Sequence, residues 1–157
     1  MLGPQAGRVR RLANDVQKLL QHIVHTYIAR QEAIDVERDA SAAEPGAEIA
    51  ADKRRIFKEE EHRADELADP FRDGLRRADD ARRAGGNAIS LDDRKTDEND
   101  QADALIHFLV RSQLATSTSR ETDEHRYIYT IAIDWDELDR VAQEAKVNMG
   151  SILGHSS

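Results

Sequence analysis

The chain has no cysteine, only three prolines in its 157 residues, and an aromatic content of 4%. Without thiols it forms no disulfide and offers no thiolate for nucleophilic, redox or zinc chemistry. Few aromatics, with 39% apolar and 34% charged residues, limit the core to a modest size. That balance points to an extended, helix-rich chain and away from a large globular enzyme. No window approaches the run of about eighteen apolar residues that a membrane span needs. Residues 1–11 carry no apolar signal-peptide core, so the expected location is the cytoplasm, or the virion if the chain is a viral part. Phosphate-cradling loops are missing as well, since Gly85-Gly86 stands apart from any GK[ST] or GxGxxG pattern.

Lysine is scarce, at 5 against 18 arginines, and aspartate outnumbers glutamate 18 to 13. With a net charge of −8, this composition leans towards proteins of GC-rich genomes, halophilic ones included. In salt-adapted organisms an acidic surface keeps proteins soluble. A chain of this length suits one domain, or one small domain with a helical extension. The pattern divides it into a helical, coiled-coil-like region at 1–86 and a helix, β-hairpin and helix module at 87–157. The expected fold is therefore mainly α, with a long N-terminal helix and helical hairpin before a small α-β-β-α module.

What the chain does contain is hydrophobic periodicity. From Pro4 to about Ala42, the residues Val9, Leu12, Val16, Leu19 and Ile23 keep spacings of three and four, the a/d pattern of a coiled coil. Leu20, Tyr27 and Ile34, seven apart, flank this seam, which fails at Thr26 and Arg30. A helix of that length spans on the order of 55 Å and cannot hide its own stripe. The stripe from Val9 to Ile34 is thus the candidate interface for another copy or another protein subunit. Pro45-Gly46 marks a break. Helical spacing then resumes at Ile49, Ile56, Phe57, Ala64, Leu67, Phe71, Leu75 and Ala78. Pro70 either kinks this helix, ends it, or opens a new one capped by Asp69. The runs Glu59-Glu60-Glu61, Arg76-Arg77 and Arg82-Arg83 are expected to be solvated faces.

Residues 87–99 are polar and are expected to form a loop anchored by Ile89 and Leu91. A helix from Asp100 to Leu114 follows, capped by Asn99 or Asp100, with Leu105, Phe108 and Leu109 on its inner face. Tyr127, Tyr129, Ile131 and Ile133 alternate with smaller or polar residues, which predicts a strand. Asp134-Trp135-Asp136-Glu137 has the spacing of a capping box. Leu138, Val141, Ala142 and Ala145 then form a helical stripe, with Asn148 or Gly150 as its stop.

Candidate chemistry is thin. His22 and His25 lie three apart, and Glu59-x-x-His62 matches a spacing used in carboxylate-bridged metal bundles. Those bundles need a second such pair and further inward glutamates, so no metal, cofactor or catalytic residue is assigned. His107 is read as a core-edge residue. Asp134, Asp136 and Asp139 lack the glycine and closing glutamate of a calcium loop.

One resemblance stands out over residues 102–133. Ala104-Leu105-x-x-x-Leu109-Val110-x-x-x-Leu114-Ala115, a polar tip and Arg126-Tyr127-x-Tyr129-x-Ile131 resemble the recognition helix and wing of winged-helix proteins. That resemblance implies a DNA-binding or protein-binding hairpin. In a transcription regulator, Arg111, Arg120 and Arg126 would face phosphate, with Arg8, Arg10 and Arg11 as a basic arm and the first helix as the dimer contact. The leading expectation is a non-enzymatic interaction or assembly subunit that self-associates or packs into a larger, even viral, complex through its first helix. No membrane or small-molecule partner is expected.

Overall fold

The computed structural model describes residues 15–40 and 46–154. Val9 and Leu12 of the expected stripe, and Arg8, Arg10 and Arg11 of the expected arm, lie outside the described residues. The chain is mainly helical with a small antiparallel sheet near its C-terminal end.

The first helix, α1, covers 15–39 and contains a π-helical turn at Val24–Ile28. That turn falls where the three-and-four spacing fails. A π turn closes its hydrogen bonds five residues apart and so takes up one extra residue. It rephases the stripe: Val16, Leu19, Leu20, Ile23 and Val24 are buried before or within it, and Ile28, Ala29 and Ala33 at its end or beyond. The helix ends at Asp39, with Ala40 extended.

The long helix α2 runs from Gly46 to Arg83 and passes straight through Pro70. Proline in a helix interior removes a donor and costs ~3 kcal/mol or more. Packing offsets that cost here, because Phe71 directly after it and Leu75 one turn further on are fully buried. Gly74 lets the helix come close to its neighbour, since a Cβ there would stand 3.0 Å from Leu105 Cδ1.

Residues 87–99 correct the expectation of a loop. Ile89–Asp92 form strand β1, paired antiparallel with the strand Tyr127–Ile133, here β3. Ile89 and Leu91 do act as anchors, and both are buried. A strand of four residues shows too little alternation to be recognised alone. Its partner lies more than thirty residues further along the chain.

Helix α3 starts at Thr96, earlier than Asn99 or Asp100, and Lys95 occupies the cap position without a side-chain cap. It continues as a π turn, Ile106–Val110, and breaks at Gln113, whose φ is 63°. Strand β2 (Ala115–Glu121) then pairs antiparallel with β3, giving the order β1-β3-β2. On β3, Ile131 is buried, while Tyr129 and Ile133 are partly buried against the core.

Asp134 caps α4 (Trp135–Glu144) as expected: the Glu137 amide donates to its Oδ1 at 3.2 Å. The return half of the capping box is not formed. The Asp134 amide donates to the Leu114 carbonyl, and the Glu137 carboxylate accepts from Arg140. Leu138, Val141, Ala142 and Ala145 are all buried. The expected stop at Asn148 or Gly150 is corrected. The helix ends at Glu144, with Lys146 at φ 59°, and Asn148 caps a further short helix, α5 (Met149–Leu153). Ile152 of α5 is fully buried, and Arg76 Nε donates to its carbonyl at 2.9 Å. One hydrophobic cluster joins the inner faces of α1, α2, α3, α4 and the sheet. No helix among the described residues is long and apolar enough to cross a membrane.

Candidate functional site

The first candidate surface, the α1 stripe, is used inside the monomer. Val16, Leu19, Leu20 and Ile23 are buried against the chain's own core, and Tyr27 is partly buried with its hydroxyl donating to Glu144. Ile34 alone of the described stripe stays open, at 47% exposure. The physical reason is the tertiary arrangement. Core residues of α2, α3 and α4 cover the stripe that would otherwise need a second chain. Val16, Leu19, Leu20 and Ile23, at 0–2% exposure, present no open apolar surface.

The histidines do not converge. His22 Nε2 lies 3.2 Å from Glu144, His25 lies 2.7 Å from Glu61, and His62 lies 2.7 Å from Glu66. Glu59 joins Arg55 and not His62. Glu144 is held below the usual carboxylate range, first by its hydrogen bond to His22 and then by the Arg140 charge and Tyr27.

The middle of the Glu59-Glu60-Glu61 run is not solvated. Glu60 is buried, and its Oε2 lies 2.7 Å from His107 Nε2. Arg111 stands 3.1 Å from the His107 ring, 3.6 Å from the other Glu60 oxygen, and also holds Glu32 of α1. This network ties three helices together. Burial pushes the Glu60 carboxyl up, yet the His107 hydrogen bond and the charges of His107, Arg111 and Arg63 outweigh it and hold it low. Sequence reasoning missed the pair because Glu60 and His107 are 47 residues apart. The available signal was a histidine on the inner side of a helix otherwise filled by Leu105, Phe108 and Leu109, which must find a polar partner when buried.

Beside this network a cleft of about 460 Å³ opens between α2 and α3, lined by Arg63, Glu66 and Leu67 on one side and Asp103, Ile106, His107 and Arg111 on the other. Burial, and then the neighbouring Asp100, raise the Asp103 carboxyl, while Arg63 opposes the rise. The charges lining the cleft are mixed, and several are taken up by neighbours: Glu66 by His62, His107 by Glu60, and Arg111 by Glu60 and Glu32. The other arginine runs also have internal duties. Arg82 stacks 3.9 Å over Trp135 and, with Arg83, pairs with buried Asp79, and Arg77 donates to Gln101.

Of the expected phosphate-facing arginines, Arg126 pairs with Asp92 and Glu124, and Arg111 belongs to the helix network. Arg120 is exposed on β2 and forms no ion pair among the described residues.

The most open element is β2 itself. It lies at the edge of the sheet, and its seven residues pair with β3 on one side only. Among the described residues, no backbone group from 115 to 121 finds a partner on the outer side. Thr116, Thr118 and Arg120 sit opposite Ala132, Thr130 and Ile128, on the face turned away from the core, and all three are exposed. Ala115, Ser117, Ser119 and Glu121 share the face of Ile133, Ile131, Tyr129 and Tyr127. Natural sheets blunt such edges with proline, lysine, a bulge or a very short strand. The other edge, β1, is short. β2 has no proline, lysine or bulge, its pairing with β3 is unbroken, and its charged side chains, Arg120 and Glu121, are confined to its last two positions.

No family model, no curated protein and no solved structure matches this chain.

Proposed function

We propose that the chain is a non-enzymatic interaction or assembly subunit and that it docks through the open β2 edge. The carrying observation is a seven-residue, regularly paired edge strand whose outer backbone groups are free among the described residues. Each unmatched amide and carbonyl there is a hydrogen bond available to an incoming strand, the mode by which many recognition modules take extended partners. Five of the seven side chains, Ala115 to Ser119, are small, so another backbone can approach. The reading keeps the expected class of function and moves its surface from α1 to the sheet. It suits a component of a larger multi-subunit assembly.

A winged-helix DNA regulator has less in its favour. A helix followed by a hairpin in a β1-β3-β2 sheet agrees with the resemblance. Yet residues 87–147 hold 7 lysines and arginines against 14 aspartates and glutamates. Two of the three described arginines are also occupied by carboxylates, whereas DNA affinity comes largely from cations free to neutralise phosphates.

Hydrogen exchange on the purified chain tests the docking reading. Between low micromolar and near-millimolar concentration, the outward amides of β2 should gain protection, and T116K/T118K should lose that gain. Lysines there lie on the solvent face, so the core is untouched. Protection that appears on α1 instead of β2, or that survives the two lysines, would refute edge docking.

A further inference from the structure

We propose that the strand received by the β2 edge is β2 of a second copy, paired antiparallel with Thr118 on the two-fold axis. The inference rests on the edge-docking reading and names its partner. A two-fold contact brings the same patch of both chains together, so the strand must be complementary to its own reverse. β2 meets that condition in one register.

With Thr118 facing Thr118 of the copy, Ser117 faces Ser119, Thr116 faces Arg120 and Ala115 faces Glu121. All seven residues of β2 then join the ladder. Directly opposed hydroxyl residues are favourable cross-strand pairs, and directly opposed like charges are not. No like charges meet here. The two Arg120 Cα positions stand about 14 Å apart, from a rise of ~3.4 Å per residue and a strand spacing of ~4.8 Å. That exceeds the screening length of about 8 Å at physiological salt. The faces agree as well, since a two-fold axis normal to the sheet leaves the core-facing residues of both strands on one side.

Neighbouring registers are worse for reasons set by the fold. Centring on Ser117 would bring Gln113 and Leu114 into the ladder. Gln113 is at φ 63°, and the Leu114 amide and carbonyl are already bonded to Leu109 and Asp134. Centring on Ser119 would draw in Thr122, whose amide donates to Arg126 in the hairpin tip, and would halve the distance between the two arginines. Centring on Arg120 would oppose them directly. The Thr118 register produces a continuous six-stranded sheet, β1-β3-β2-β2-β3-β1, and removes the long free edge of both copies. The contact is one strand wide, which places it among the weak, concentration-dependent interfaces. Each chain carries −8, so added salt should strengthen the dimer by screening the repulsion between copies.

A chain without cysteine makes the test direct, because any introduced thiol is unique. Under mild oxidation of the full chain, T118C should form a disulfide-linked dimer several-fold faster than T116C. Residue 116 and its copy lie about 14 Å apart in this register, which no disulfide can bridge, while residue 118 meets its own copy. Both positions are exposed on the solvent face, so neither variant threatens folding. Sedimentation of the unmodified chain over the same concentrations should show mass rising towards a dimer, and rising further with salt. Equal rates for T118C and T116C would overturn the register. A chain that remains monomeric at near-millimolar concentration would overturn self-pairing and leave the edge to a strand from another protein. Association that persists in T116K/T118K would overturn the edge reading itself.

Discussion

Glu60–His107 and His62–Glu66 give a controlled comparison within one molecule, because both pairs are 2.7 Å long. They differ in burial. The Glu60 and His107 side chains are 11% and 14% exposed, whereas those of His62 and Glu66 are 74% and 61% exposed. A charge-assisted hydrogen bond shielded from water contributes about 1.5–3 kcal/mol, and an exposed helix pair about 0.3–0.5 kcal/mol. Arg111 lies within reach of Glu60 and compensates part of any loss, so the lower end of the first range is expected. Two double-mutant cycles, E60Q with H107A and E66Q with H62A, measured by urea unfolding near pH 6, should give coupling energies of about 1.5 and below about 0.5 kcal/mol. For a chain of this size the first corresponds to roughly 3–6 °C in midpoint temperature. Equal couplings from the two cycles would refute the argument that burial, and not distance, sets the strength of these pairs.

Other consequences follow from single contacts. The Glu60 carboxyl is held below its ordinary value of 4.5 in the folded chain. Its contribution is therefore fully present above that pH and lost as pH falls through the depressed value, so E60Q should flatten the acid limb of a stability-against-pH curve. Asp134→Ala removes the side-chain cap of α4 and should cost about 1 kcal/mol in chemical denaturation with little change in far-UV circular dichroism. At Gly74, a new Cβ meets fully buried Leu105 at 3.0 and 3.1 Å. Gly74→Ala should be close to neutral by denaturation, since a helix-propensity gain of about 1 kcal/mol offsets the crowding, while Gly74→Val should lose about 2–3 kcal/mol.

Much of the secondary structure is determined locally. Periodicity marks α1 from Val16 to Ile34, α2 from Ile49 to Ala78, and the stripe Leu138 to Ala145, because burying one side of a helix demands apolar residues at three-and-four spacing. Alternation marks β3, and Asp134 marks the start of α4, because both signals act over a single turn or pleat. Even the failure of the α1 seam at Thr26 and Arg30 was visible, and it begins inside the π turn at Val24–Ile28. What the α1 stripe packs against was not visible, because the pattern of an intramolecular core helix and of an intermolecular coiled coil is the same. Strand β1, the continuation of α2 through Pro70, the Glu60–His107 pair and the free outer edge of β2 depend on partners many residues away. Hydrogen bonds and burial between distant segments are decided by topology, and topology is where the tertiary structure gave its answer.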